Sequence, residues 1–156
     1  MKLDWKKLLI TLAIPLGVGG LSALLTGSGM MEYGNLNQPP LSPPGWLFPV
    51  VWTILYLLMG YASYRVWTSD APEKQKKSAL RIYFAQLAAN FLWPLIFFGL
   101  QWRLLAFWVI LILWVLIYFT IKRFGKIDGI AADLLLPYIL WVTFAAYLNL
   151  GAFLLN

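Results

Sequence analysis

The stretch from Leu104 to Ile121, LLAFWVILILWVLIYFTI, carries no charge, no glycine and no proline. At about 1.5 Å per residue it makes a helix of about 27 Å, close to the roughly 30 Å hydrocarbon core of a bilayer. A helix apolar around its whole circumference needs apolar surroundings on every side, and a chain of 156 residues has too little other mass to provide them. A membrane span satisfies the requirement. Working outward, four more segments have the length and apolarity to cross: residues 5–26, 45–67, 80–100 and 130–155.

Composition agrees. The chain is 62% apolar, 17% aromatic and 12% charged, against about 25% charged residues in a soluble domain. Residues 1–156 therefore read as a single, all-α integral membrane domain of five transmembrane helices. Lys2, Lys6 and Lys7 precede an apolar run from Leu8 to Leu25. That run exceeds the about 7–15 residues of a signal-peptide core and reads as the first span.

The net charge of +6 is confined to short clusters between spans, which argues for lipid headgroups and against nucleic acid. Lys2, Lys6, Lys7, Arg65, Lys74, Lys76, Lys77, Arg81, Lys122, Arg123 and Lys126 fall on one side of a five-span chain, and Arg103 stands alone on the other. The positive-inside rule then predicts a cytoplasmic N-terminus, an outer C-terminus and a multi-pass protein of the cell membrane. Helices three and four, joined by Gln101-Trp102-Arg103, must be antiparallel neighbours. The first loop, 27–44, is rich in glycine and proline and long enough to act as an outer lid. No internal repeat of the kind found in many secondary transporters is apparent.

Cysteine and histidine are absent. Disulfides, zinc sites, the commonest general base and the usual axial ligands of haem iron are lost with them, so no metal site or cofactor is expected. The acidic residues Asp4, Glu32, Asp70, Glu73, Asp128 and Asp133 all lie near span ends, where hydrolytic chemistry has no pair to use.

Polar side chains inside spans are therefore informative. In helix three Gln86 and Asn90 share a face with Tyr83 and Trp93; in helix two Trp52 aligns with Tyr56, Gly60 and Ser63; in helix five Tyr138 aligns with Trp141 and Ala145, with Asn149 nearby. One reading is an embedded pocket for a flat, mostly apolar ligand. The other is interhelical glue, since amides bond across helices. Trp5, Trp46, Trp67 and Trp102 sit at span ends and suit an interfacial belt, while Trp52, Trp93, Trp114 and Trp141 lie deeper. Small residues permit close approach at Gly17, Gly19, Gly20 and Ala23, and at Ala85, Ala88 and Ala89; the second group is a candidate homodimer seam. Pro15, Pro94 and Pro137 are expected to kink their spans, each freeing a carbonyl.

The run PPGWLFPVVWTILYLLMGYASYRVW (43–67), with YFAQLAANFLWPLIFF (83–98) and DLLLPYILWVTFAAYLNLGAFLLN (133–156), resembles the TspO/MBR family, the tryptophan-rich sensory proteins and translocator proteins also called peripheral-type benzodiazepine receptors, in a bacterial form. The resemblance covers essentially the whole chain. It implies a five-helix bundle, commonly dimeric, that binds porphyrins such as protoporphyrin IX, isoquinoline and benzodiazepine drugs and, in animals, cholesterol. The ligand-binding candidates are Tyr33, Trp52, Tyr56, Gln86, Asn90, Trp93, Tyr138, Trp141 and Ala145. Trp52 and Trp141 would be catalytic if the protein degrades porphyrin with light and oxygen; transport of tetrapyrrole or lipid is a further alternative. The animal sterol motif of helix five needs a basic residue soon after a tyrosine, and none follows Tyr147. Short matches remain at Leu58-Tyr61-Arg65 and Leu116-Tyr118-Lys122.

Overall fold

The computed structural model describes residues 2–156, and the side-chain surroundings of all of these except 28–32. The described residues form helices and connections only: α1 (Trp5–Tyr33), α2 (Leu47–Trp67), α3 (Glu73–Pro94) running on through a π-helical turn (Leu95–Leu100), α4 (Arg103–Ile127), α5 (Gly129–Leu134) and α6 (Leu136–Leu155). Five stretches are long and apolar enough to cross a membrane, the fifth combining α5 and α6 as Gly129–Leu155. α1 packs between α2 and α3, α4 packs between α3 and α6, and α5 bridges α2 and α4. The protein is an all-α, five-helix membrane bundle.

Several boundaries differ from those read in the sequence. α1 continues to Tyr33, so the expected 27–44 lid begins only after that residue. Glycine costs a helix about 1 kcal/mol, and here tertiary contact outweighs it. The Tyr33 ring lies 5.5 Å from Phe48 and 5.7 Å from Phe98, centroid to centroid, which anchors the last turn. At the other end of the bundle, α3 and α4 overrun their apolar cores to Glu73 and Ile127, because Lys, Gln and Arg are good helix formers in water.

The prolines behave differently from one another. Pro137 occupies the first turn of α6, where a missing N–H costs nothing, and the fifth span is interrupted at Leu135 just before it, so the expected break takes the form of a new helix start. Pro15 lies inside α1 and leaves the carbonyl of Thr11, four residues earlier, without its usual donor. That oxygen faces Gly60 of α2, where an added Cβ would stand 2.6 Å from it. Only glycine lets the two helices meet so closely, and its Cα–H is the group that the freed carbonyl meets. Pro94 opens the π-helical turn, which ends at Gln101 in a left-handed conformation (φ 59°).

One carboxylate closes the end of the bundle that carries the basic clusters, hereafter the basic end. Asp128 Oδ1 accepts from the backbone N–H groups of Ile130 (2.9 Å) and Ala131 (3.3 Å), capping α5. Its Oδ2 accepts from Arg65 Nε at 2.9 Å, and Arg65 also donates to the Tyr61 hydroxyl. The Leu58-Tyr61-Arg65 match is thereby committed to holding α2 against α5.

At the opposite end, the loop after α1 is strapped to α6. Pro39 lies on Gly151, where an added Cβ would come within 2.6 Å of the proline Cβ. Tyr147 donates to the Pro40 carbonyl at 2.7 Å, and Asn37 and Asn156 bond reciprocally. Of the candidate seam, Ala85 and Ala88 are exposed on α3, whereas Ala89 is buried. Ala89 belongs to the interior of the bundle because it shares the inward face of Gln86 and Asn90.

Candidate functional site

Three spans meet in a line of hydrogen bonds at mid-bundle. The Tyr56 hydroxyl donates to Asn90 Oδ1 at 2.9 Å; Asn90 Nδ2 donates to the Tyr138 hydroxyl at 2.7 Å; Tyr138 donates to Gln86 Oε1 at 2.6 Å. All four side chains are buried, so each bond replaces one that water cannot supply. A second connection runs from Trp93 Nε1 to Asn149 Oδ1 (2.9 Å), with Asn149 Nδ2 donating to the Arg103 carbonyl. Trp114 Nε1 donates to Thr143 Oγ1 at 2.8 Å. The glue reading is therefore correct for Gln86, Tyr138, Asn149 and Trp114.

In front of this layer is a cavity of about 270 Å³. Trp52, Tyr56, Asn90 and Trp93 line one side, with Phe48, Pro94 and Phe98 toward the loop end. Trp52 and Tyr56 are stacked on one another, centroids 5.7 Å apart and planes 29° from parallel, which makes this side of the cavity aromatic. The opposite wall is α1: Leu16, Gly19, Gly20, Ser22, Ala23 and Thr26. Gly20, Ala23, Pro49 and Thr53 are lining residues that also reach the surface, so the cavity opens sideways between α1 and α2. The Ser22 hydroxyl is buried without a hydrogen-bond partner. The Asn90 amide retains one N–H and one lone pair beyond the bonds described.

The nine candidates divide accordingly. Trp52, Tyr56, Asn90 and Trp93 line the cavity. Gln86 and Tyr138 stand behind it and orient Asn90. Tyr33 is one ring removed, against Phe48 and Phe98, and Ala145 is buried in the core. Trp141 does not line the cavity: it lies on a shallow groove between α2 and α6 with Val51, Ile54 and Phe144, screened by Phe48 at 5.9 Å. At about 100° per residue, Trp141 is about 60° off the line through Tyr138, Ala145 and Asn149, which turns it toward α2. The stretch of α1 that walls the cavity, Leu16 to Thr26, is not among the candidates. Its signal was the cluster Gly19, Gly20 and Ala23, which leaves room where side chains are absent. At Gly19 an added Cβ would collide with the Tyr56 ring, so this glycine is what lets the aromatic wall stand against α1.

A membrane bundle with a side-opening aromatic cavity, backed by a buried amide, defines the class: a polytopic membrane protein with an internal, largely apolar cavity. The chain belongs to the TspO/MBR family, whose model matches residues 11–155. It is 38% identical to the tryptophan-rich sensory protein of Cereibacter sphaeroides over 156 residues, covering 100% of this chain and 95% of that one. It is 36% identical to the tryptophan-rich protein TspO of Chlorobaculum tepidum over 149 residues, 96% and 94% of the two chains. The translocator protein of Homo sapiens matches at 36% over 140 residues, 89% and 83%.

Proposed function

We propose that this chain is a membrane receptor that binds porphyrins, protoporphyrin IX foremost, together with other planar hydrophobic molecules such as isoquinoline and benzodiazepine drugs. The observation that carries the reading is the aromatic wall of stacked Trp52 and Tyr56 lining a cavity open between α1 and α2. Stacking on that wall supplies attraction, and the spare N–H and lone pair of Asn90 supply orientation. The cavity, about 270 Å³, is at the small end of the roughly 300–1,000 Å³ usual for ligand sites. A tetrapyrrole therefore enters edge first and moves α1 outward. The sensory and translocator names of the relatives support a receptor or transport role.

Without histidine or cysteine, recognition rests on shape and stacking, so metal-free protoporphyrin binds at least about as tightly as haem. Titration of both, followed by porphyrin absorbance, tests this. Trp52→Phe is expected to weaken protoporphyrin binding about tenfold, the order of one lost aromatic contact. No binding to the wild type, or a marked preference for haem, overturns the reading.

A second reading is oxidation of bound porphyrin by light and oxygen, favoured by the half-exposed Trp52 on the cavity wall. Equal product yields from illuminated wild type and Trp52→Phe would end it. Trp141, behind Phe48, is the poorer electron donor of the two. Transport, the third reading, requires transfer of porphyrin between vesicle populations. The orientation proposed is N-terminus cytoplasmic and C-terminus outside, in the cell membrane. The chain is proposed to pair with a second copy through α3, at the exposed Ala85 and Ala88.

A further inference from the structure

The cations at the basic end divide into two groups. Arg65 is paired with Asp128 at 2.9 Å, and Lys76 lies 3.7 Å from Glu73 while donating to the Trp67 carbonyl at 3.0 Å. These two hold the frame together. Lys74 of α3 and Arg123 and Lys126 of α4 are exposed and, among the described residues, form no ion pair. They meet in an open notch of about 440 Å³ between the two helices, lined otherwise by Pro72, Gln75 and Ser78. No acidic side chain lines it. The notch shares no residue with the aromatic cavity at mid-bundle, the upper cavity of the molecule, and so does not depend on what that cavity binds.

The notch is held in shape from behind. Arg123 donates to the Ser78 carbonyl at 3.1 Å, which ties its guanidinium to α3 and leaves its other N–H groups for a guest. Beside it Phe124 is fully buried and stacks on Tyr83, ring centroids 5.7 Å apart, which fixes the spacing of α3 and α4. Cations gathered without an acid repel one another, and a shared anion relieves them. Phosphate suits the set, since a guanidinium binds it through two N–H groups and an ammonium as a point charge.

The surface below the notch narrows the choice of anion. Descending α4 from Arg123, Phe119, Leu116 and Ile112 follow at helical spacing, with Phe119 and Ile112 exposed. Lys122 lies 5.6 Å over the Tyr118 ring, which puts this turn of α4 at the headgroup level. The cationic notch therefore stands at the head of an apolar, outward-facing track that runs into the span. An anion carrying acyl chains satisfies both parts, whereas a free phosphate or an acidic peptide satisfies only the first.

We propose that the notch is an anionic phospholipid site. The phosphate of a phosphatidylglycerol-type headgroup is bound by Arg123 and Lys126 of α4 and Lys74 of α3, while one acyl chain follows Phe119 and Ile112.

The test is native mass spectrometry of the full chain in detergent, titrated separately with dioleoyl phosphatidylglycerol and dioleoyl phosphatidylcholine. The first lipid bound is expected to favour phosphatidylglycerol about tenfold, and excess inorganic phosphate is expected not to displace it. Lys74→Gln combined with Lys126→Gln should cost phosphatidylglycerol about fivefold in affinity per charge removed and leave phosphatidylcholine unchanged. Lys2→Gln combined with Lys6→Gln, an equal charge change outside the notch, should leave both lipids unchanged. All four lysines are exposed, so the unfolding midpoints should match the wild type, and the wild-type comparison of the two lipids stands without the variants. Equal affinity for the two lipids, or equal losses in the two double variants, would overturn the proposal. So would displacement by inorganic phosphate, which marks a free-anion site, or binding of polyglutamate in place of the lipid, which marks a site for an acidic peptide.

Discussion

The two sides of the upper cavity are built by opposite means. The α2 and α3 side is held by side chains that bond to one another and to α6, from Tyr56 through Asn90 and Tyr138 to Gln86. The α1 side contributes Gly19, Gly20 and Ala23 and no hydrogen bond across the space. A rigid wall comes from groups that must be satisfied away from water. The space in front of it comes from side chains that are missing. Polar bonding fixes geometry, and small residues make volume; a binding site in a membrane needs both.

Substitutions can break this contrast. The largest effect is expected at Gly60, where a side chain meets backbone that cannot yield: Gly60→Leu should cost about 3 kcal/mol, the upper range for overpacking, read from the unfolding midpoint in a denaturing-detergent titration. A mild phenotype there would mean that the α1–α2 crossing is not fixed by backbone contact. Next is Tyr138→Phe, which removes the donor to Gln86 and the acceptor for Asn90. About 1–2 kcal/mol of stability should be lost by the same titration, given what buried bonds are worth in membranes.

Gly20→Leu sharpens the comparison from the other side. Nothing lies within 4 Å of where its Cβ would stand, so stability should change by about 0.5 kcal/mol or less. The new side chain nevertheless occupies cavity space, and protoporphyrin affinity measured by absorbance titration should fall about tenfold. The smallest effect is expected for Trp141→Phe. Its indole N–H is buried and already without a partner, so its loss should cost under about 0.5 kcal/mol, whereas Trp93→Phe strands Asn149 Oδ1 and should cost about 1 kcal/mol. Equal costs for the two tryptophans would contradict the assignment of Trp93 to the hydrogen-bonded framework.

These differences also mark what the sequence made legible. Five spans were readable because bilayer thickness imposes a length on apolar helices. The shared faces of Gln86 with Asn90 and of Trp52 with Tyr56 were readable because helical periodicity is local. The α1 wall was not. Gly19 and Gly20 carry no chemistry, and whether a gap between small residues closes by packing or stays open depends on the neighbour, here the Tyr56 ring. The position of Trp141 was missed for a related reason: spacing groups it with Tyr138, but an offset of about 60° decides which side of Phe48 it occupies. The helical extension to Tyr33 depended on a distant aromatic cluster, beyond the reach of local propensity.

The junction at Pro15 has a mechanical consequence. α1 is clamped to α2 at Gly60 by backbone contact and held near its far end by the Tyr33 cluster. Between those two fixed points, the glycine-rich stretch from Leu16 to Thr26 touches the opposite wall where Gly19 meets the Tyr56 ring, and makes no hydrogen bond across the cavity. Load from an oversized guest would be taken up by bowing of that stretch. The far side of the site, bonded from Tyr56 through to Gln86, would keep its shape while α1 gives way.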